Sequence, residues 1–308
     1  MADTALFDTA PPPVPLKQRL KHVAIVKTSA LLMPLIKKAA APYAGGETIT
    51  DALAVATRLA HEGHATTLGF WDAGEEADIL APYRAAITAL RDVPFESYIS
   101  LKPPALRFSP ELAHTLAREV APAGLRLHSD SHGVEVADRS NAFTEALLGV
   151  LPPENVSTTL PGRWQRSLGD ADWAMSKNLA VRVVKGQWPD PADPHRDIAS
   201  GYLAVIDRLA QGARHVAVAT HDLELARASI KRLKAARVSC EIEILLGMPA
   251  KPLLAWAKAG GVPVRVYVPY GPGFVPNAIG VLRRNPRILL AVAKERARAI
   301  AGLFGAAA

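Results

Sequence analysis

The residue types that could do chemistry recur at the ends of short apolar runs. Acids, bases, an amide and aromatic rings occupy these positions, at Trp71, Asp72, Lys102, His128, Asp130, Lys185, Gln187, Trp188, Thr220, His221, Asp222, Glu241, Glu243, Tyr267 and Tyr270. Taken singly, an aspartate such as Asp130 or Asp222 is more often a helix cap than a catalyst. Together these side chains form a candidate site if the fold brings the ends of the runs to one rim.

The apolar runs have the length and composition of buried parallel strands. Eight of them follow residue 63, with the sequences HATTLGFW, SYISLK, GLRLHSD, NVSTTLP, LAVRVVKG, HVAVATHD, CEIEILLG and VPVRVYVPYG. Helical segments separate them, and in SPELAHTLAREV we expect Ser109 to cap a helix with Pro110 in its first turn. This alternation predicts an α/β protein of the (β/α)8 TIM-type barrel class, whose active site lies at the C-terminal strand ends.

The segment before the first strand is expected to lead into one large domain. We predict a flexible N-terminal arm over residues 1–21, and a single barrel domain over 22–308 that starts with helices at 22–63. The arm has acids and prolines but no apolar core segment, so it does not read as a signal peptide. The run HVAIVKTSALLMPLIKK is interrupted by Lys27 and is too short to cross a bilayer. We therefore expect a cytoplasmic protein without an integral membrane segment.

Composition excludes several classes of partner. The net charge is +7, but the basic residues are scattered and no aromatic residues interleave with them as a base-stacking surface requires. We therefore expect no nucleic-acid partner. The single cysteine, Cys240, excludes an internal disulfide and a cysteine-rich metal site. Its apolar surroundings predict a buried, unreactive thiol.

Four strand segments resemble motifs of the flavin-dependent proline dehydrogenases. These segments are VRVVKGQW, VAVATHD, EIEILLGM and VRVYVPYG, where the family reads approximately RLVKGAY, ATHN, EFQxLYGM and RVYVPYG. Two earlier segments, YAGGETITDALAVATRLAHEGHATTL and ISLKPPAL, are similar to further parts of the same family. The resemblance runs in order over residues 44–290, and it implies a (β/α)8 barrel that binds FAD and oxidises proline to an imine.

The resemblance also implies which residues hold FAD. They are Arg182, Lys185, Gly186, Gln187, Thr220, His221 and Glu241. Fixed cations and backbone N–H groups suit a pyrophosphate, and nearby charge tunes a flavin. Two positions depart from the family: Asp222 replaces an asparagine, and Pro161 stands where the family has a glutamine near the flavin.

On the substrate side the resemblance implies Lys102, Asp130 and Tyr267 as catalytic residues. Lys102 and Asp130 would orient the substrate, and Tyr267 would wall it. Further substrate contacts are implied for His128, Trp188 and Tyr270, where His128 takes the place of a family aspartate and Trp188 that of a tyrosine.

The last helix departs most from the family. A gapless alignment places the Arg pair that clamps proline's carboxylate on Gly280 and Val281, and its neighbouring tyrosine on Asn277. Without that clamp a carboxylate would lack charge-assisted hydrogen bonds. We therefore expect a cyclic or secondary amine other than free proline as substrate. Whether Arg283 or Arg284 replaces the missing pair stays open.

Three hypotheses follow. The first is an FAD-dependent dehydrogenase or oxidase that passes a hydride from the carbon next to the amine to flavin N5. Its electron acceptor would be a quinone or oxygen, and the oligomeric state stays open. The second is a flavin-binding homologue with non-redox or lost activity. The third is a metal-dependent barrel enzyme using His128, Asp130 and His132 of HSDSH, although we expect no metal site because a solvated loop explains that sequence better.

Overall fold

Eight parallel strands form a closed barrel. The structure, a computed structural model, describes residues 43–73 and 78–273. The strands pair in sequence order and the last pairs with the first, which confirms the predicted (β/α)8 class. Their bounds are β1 (Ala65–Phe70), β2 (Ser97–Leu101), β3 (Leu127–Ser129), β4 (Val156–Pro161), β5 (Ala180–Val184), β6 (His215–Ala219), β7 (Ser239–Leu245) and β8 (Val264–Tyr270).

Helices precede the first strand and connect each strand to the next. Within the described residues they are α1 (Ile49–His61), α2 (Ala81–Leu90), α3 (Pro110–Val120), α4 (Ala137–Leu148), α5 (Ser167–Ser176), α6 (Ile198–Leu209), α7 (Leu223–Ala235) and α8 (Lys251–Ala259). Single 3-10 turns lie at Ala121–Ala123, Val134–Val136 and Pro153–Asn155.

Side-chain caps fix where several helices begin. Ser109 accepts a hydrogen bond from the Leu112 N–H at the start of α3, as the sequence predicts. Thr48 and Asp51 form a reciprocal capping box at α1. Asp222 caps α7, so this candidate site residue is also a structural cap.

The apolar core lies between the strands and the helices. Outward side chains such as Val183, Val218 and Ile242 are fully buried there, in the same apolar cluster as the helix residues Leu116 and Phe143. Since successive strand residues point to opposite faces, every second residue of the same strands points into the barrel.

The barrel interior is polar, whereas bulky branched side chains usually fill it. Its inward side chains include Thr67, Tyr98, His128, Arg182, Glu241, Glu243 and Arg265, all of them buried. Buried charges are tolerated when they are paired and hydrogen-bonded. The interior therefore has to be a connected network, and that network carries the candidate site at its upper end.

Several sequence predictions concern residues outside the described part. The arm, most of the leading helical segment, and Asn277, Gly280 and Val281 lie there. Among the described residues, no helix is long and apolar enough to cross a membrane. Cys240 is free and partly buried, and burial raises the pKa of its thiol.

Candidate active site

A cavity of about 460 Å³ opens at the C-terminal ends of the strands, within the size range of small-molecule sites. It brings together seven residues to which the sequence assigns a catalytic, substrate-binding or cofactor-binding role: Lys102, Asp130, Arg182, Gly186, Gln187, Trp188 and Tyr267. Six further lining residues are Trp71, Asp72, Ser131, His132, Thr159 and Val184. The cavity thus combines aromatic walls with a charged floor.

Arg182 is the centre of the floor. Its Nε and Nη2 atoms donate to the two carboxylate oxygens of Glu243, both at 2.8 Å. Its Nη1 donates to Asp130 Oδ1 at 2.7 Å. The side chain is 5% exposed, and the neighbouring carboxylates hold the pKa of the guanidinium well above its usual range against the cost of burial. Arg182 is therefore a fixed cation paired with two carboxylates.

Asp130 is the acid that faces the cavity. Its Oδ2 accepts a hydrogen bond from the Tyr267 hydroxyl at 3.2 Å, while Oδ1 is taken by Arg182. The side chain is 17% exposed, compared with 5% for Arg182 and 2% for Glu243, so the carboxylate can contact a ligand in the cavity. The hydrogen bonds from Arg182 and Tyr267 therefore fix the orientation of the Asp130 carboxylate.

Glu243 lies beneath Arg182 and is 2% exposed. Besides Arg182, it accepts hydrogen bonds from Thr67 Oγ1 at 3.0 Å and from the Tyr98 hydroxyl at 3.4 Å. The sequence prediction assigned it no role. The signal was present in the run EIE, because residues two apart on a strand share one face.

Lys102 lines the cavity from the end of β2, whereas Arg182 lines it from β5. Its Nζ donates to the Phe70 carbonyl and lies 5.2 Å from the Trp71 ring centroid. Burial lowers the pKa of Lys102 to about 8, although Asp130 and Asp72 oppose that shift. The ammonium form still prevails at neutral pH, but burial of its charge costs free energy of folding.

An aromatic pair forms one wall. The rings of His132 and Trp188 stack with centroids 5.9 Å apart, and Trp188 is 39% exposed. The Trp164 indole donates to the Trp188 carbonyl at 2.9 Å, which anchors the loop after β5. Burial lowers the pKa of His132, so this imidazole is neutral at neutral pH.

The rim over β5 and β6 holds the remaining predicted cofactor residues. Lys185 and Asp222 form a half-exposed pair at 3.5 Å. Gly186 has φ 93°, and a Cβ there would lie 2.9 Å from Pro161 Cβ, so only glycine fits this turn. His221 Nε2 accepts from the Leu245 N–H, and burial lowers the pKa of its ring.

The structure does not bring Glu241 to the cavity. This carboxylate pairs with Arg265 at 2.8 Å and with His215 at 3.3 Å, in the N-terminal half of the barrel. It precedes Glu243 by two residues on β7, so it points inward one layer lower. The geometry does not support the predicted cofactor contact.

Two predicted substrate contacts also lie away from the cavity. His128 is 1% exposed and its ring nitrogens bond the hydroxyls of Ser157 and Thr159, so it supports the floor from inside. Tyr270 is on the outward face of β8, where its ring packs edge-on against Phe70. His128 misses the cavity because it points inward below the rim, two residues before Asp130, whereas Tyr270 misses it because it is on the outer face of its strand.

A metal centre finds no support in the described residues. They contain no group of three His, Cys, Asp or Glu side chains placed to hold an ion. His128 of the HSDSH run is buried in the barrel, whereas His132 stacks on Trp188.

The residues around the cavity do fit a flavin. Its volume suits a planar ring system, Trp71 and Trp188 supply apolar walls, and Arg182 lies on the floor, held by its ion pairs with Asp130 and Glu243. Lys185 on the rim supplies a charge suited to a phosphate, although Asp222 already neutralises part of it.

Known proteins with similar sequence and fold are proline dehydrogenases and proline utilization A. No family model matches the chain. Over 133 residues it is 32% identical to the proline dehydrogenase of Deinococcus radiodurans, an alignment that covers 41% of this chain and 42% of that protein. Proline utilization A from Bdellovibrio bacteriovorus, inactivated by N-propargylglycine, matches at a TM-score of 0.69 with 16% identity, over 90% of this chain and 35% of the other. Proline utilization A from Corynebacterium freiburgense matches at a TM-score of 0.64 with 16% identity, over 92% of this chain and 34% of the other.

These matches confirm the resemblance to the proline dehydrogenase family that the strand motifs indicate. The structural matches establish the fold alone, because their identity is low. The aligned region spans less than half of the curated relative and about a third of the solved chains.

Proposed function

We propose that the protein is an FAD-dependent oxidoreductase that acts on CH–NH groups of a small cyclic or secondary amine. The observation that carries this proposal is the Arg182–Asp130–Tyr267 cluster, which forms the floor of a cavity at the C-terminal end of a barrel similar to that of proline utilization A. FAD, where bound, would supply the hydride acceptor: the C–H bond next to the amine nitrogen would break with its electron pair passing to flavin N5, the nitrogen would lose its proton to solvent, and a C=N bond would form.

The cofactor contacts in this proposal lie on β5 and β6. Arg182 is the cation of the floor, and the turn at Gly186 and Gln187 lines the cavity beside it. Lys185 and Thr220 lie at the adjoining strand ends, where they would meet the phosphate-bearing part. These assignments rest on the resemblance together with the positions of the side chains.

The substrate amine would be held by Asp130. A carboxylate whose oxygens are fixed by Arg182 and Tyr267 offers its remaining acceptor positions to an N–H group. Trp71 and Trp188 would cover the ring and exclude water, which strengthens the electrostatic contacts inside. Lys102 would limit the negative charge of the pocket.

The substrate we propose lacks a free carboxylate next to the nitrogen. Of the two cations that line the described cavity, Arg182 is paired with Glu243 and Asp130, and Lys102 donates to the Phe70 carbonyl. Neither is arranged as an open fork for a carboxylate. The replacement of the family's Arg pair by Gly280 and Val281 in the sequence supports the same choice.

The spectrum of the purified protein tests the cofactor. We expect a yellow protein, and we expect Arg182→Ala and Lys185→Ala to retain less FAD after gel filtration. Lys177→Ala is a matched control for Lys185, because both lysines are similarly exposed members of ion pairs, and Lys177 lies at the opposite end of the barrel. Full retention of FAD by both Arg182→Ala and Lys185→Ala would refute the assignment.

Anaerobic bleaching of the flavin tests the substrate. We expect L-prolinamide or another uncharged proline derivative to reduce the flavin faster than L-proline does. The double variant Gly280→Arg, Val281→Arg should shift the preference towards L-proline. A protein that retains FAD but is bleached by none of a panel of cyclic amines would favour a flavin-binding role without redox activity.

A further inference from the structure

The barrel contains a buried carboxylate that the proposed reaction does not use directly. Glu243 accepts hydrogen bonds from two of the five N–H donors of Arg182 in a bidentate pair, each at 2.8 Å. A third donor goes to Asp130, and the fourth reaches the Tyr98 hydroxyl at 3.5 Å. This leaves little of Arg182 for a ligand.

Glu243 itself is held in place. Thr67 Oγ1 and the Tyr98 hydroxyl donate to its oxygens from β1 and β2, so the carboxylate cannot swing away from Arg182. An isolated guanidinium on the floor would attract an anion, because opposite charges attract strongly where water is excluded. With both Asp130 and Glu243 in contact with Arg182, the three groups together carry a net formal charge of −1 before any ligand arrives, and Glu243 supplies the excess negative charge.

From this geometry we propose that Glu243 is a specificity-determining positioning residue, which fixes and neutralises Arg182 so that the cavity rejects amines bearing a carboxylate and accepts uncharged ones. The inference rests on the proposed function in taking the cavity as the amine site. It adds that the preference is set by a residue below the cavity, which has no contact with the ligand.

The chain provides a matched control on the same strand. Glu241 is also an inward glutamate of β7, and it is also paired with an arginine, Arg265. Both glutamates are almost fully buried. They differ in depth, since Glu241 lies one layer lower and touches no residue of the cavity floor.

The test compares binding of L-proline and L-prolinamide by anaerobic titration calorimetry, with excess FAD that has been reduced beforehand so that neither ligand is oxidised. The two ligands share the ring and the amine, so their affinity ratio isolates the carboxylate. Glu243→Gln keeps the shape of the side chain and removes its charge, and we expect it to move the ratio towards L-proline about tenfold, which corresponds to about 1.4 kcal/mol. Glu241→Gln should leave the ratio within about twofold of the parent protein. An unchanged ratio in folded Glu243→Gln, or an equal shift in Glu241→Gln, overturns the proposal.

A double variant keeps the test decisive if Glu243→Gln does not fold. Replacing the pair together, Arg182→Gln with Glu243→Gln, leaves no unpaired charge of that pair. The Arg182–Glu243 pair adds no net formal charge, so the double variant keeps the net charge of the parent cluster on Asp130. The ratio of the L-proline to the L-prolinamide affinity should therefore stay near the parent value even though both affinities fall, because Arg182 also orients Asp130. A loss of relative L-proline binding would mean that Arg182 attracts carboxylates despite Glu243, which refutes the proposal.

The outcome also separates this inference from the proposed function. If the parent protein retains FAD and binds L-prolinamide but the variants do not change the ratio, only the role of Glu243 fails. If parent and variants bind neither compound, the amine site fails and the specificity role fails with it.

Discussion

Lys102 gives a prediction with a calculable size. The change is Lys102→Met, which keeps an unbranched side chain of nearly the same length and removes the ammonium. Burial lowers the pKa of Lys102 from its ordinary value of 10.5 to about 8 in the folded protein. Between these values the unfolded chain holds a proton that the folded protein has lost, so the free energy of unfolding contributed by this group rises with pH.

The size of the effect follows from the two pKa values. Below pH 8 both states carry the charge, and the folded protein bears the full cost of burying it. At about 1.4 kcal/mol per pH unit, the contribution should rise by roughly 3 kcal/mol between pH 8 and pH 10.5. Above that range both states are neutral and the difference is constant.

Reversible urea unfolding at a series of pH values measures this effect. Other groups also titrate at alkaline pH, so the informative quantity is the free energy of unfolding of the parent protein minus that of Lys102→Met at each pH. The same comparison with Lys177→Met, which removes an exposed lysine, supplies the baseline. A difference curve for Lys102 that is flat from pH 8 to 10.5, or that falls, would refute the reasoning.

Three further predictions concern the site and the fold. Gly69→Ala places a Cβ 2.0 Å from the Tyr267 hydroxyl, so the ring must move, and ligand titration should show at least tenfold weaker binding while circular dichroism stays unchanged. Tyr267→Phe removes the donor to Asp130 Oδ2, and a loss of about tenfold in kcat/KM is expected, whereas an unchanged value would argue that Asp130 needs no such support. Ser109→Ala removes the cap that accepts from the Leu112 N–H, and urea unfolding should show a loss of about 1 kcal/mol, with Ser109→Asp restoring most of it.

Much of the fold was accessible from the sequence because each strand and helix carries its own local signal. Eight β-branched runs separated by helical segments predict the barrel, and the eight strands lie within those runs or within one residue of them. Ser109 capped its helix as expected, since a cap is a contact between near neighbours in the chain. The cavity residues at the strand ends followed from the rule that parallel strands of a barrel share one C-terminal rim.

The sequence did not place those residues whose contacts depend on their depth in the barrel or on the face of the strand to which they point. Glu241 and Glu243 look equivalent in the run EIE, yet only Glu243 reaches Arg182, because the stagger of neighbouring strands sets which layer each one occupies. His128 lies inside the barrel below the rim, and Tyr270 lies on the outside of its strand.

The sequence by itself determined the class of the fold, the order of its strands and the chemical types available at the rim. The tertiary structure alone decided which charges meet: Arg182 with Glu243 and Asp130 in the upper layer, and Arg265 with Glu241 below. These partners are 24 to 61 residues apart in the chain. Their pairing depends on the closure and register of the whole barrel, and no local pattern in the sequence encodes those two properties.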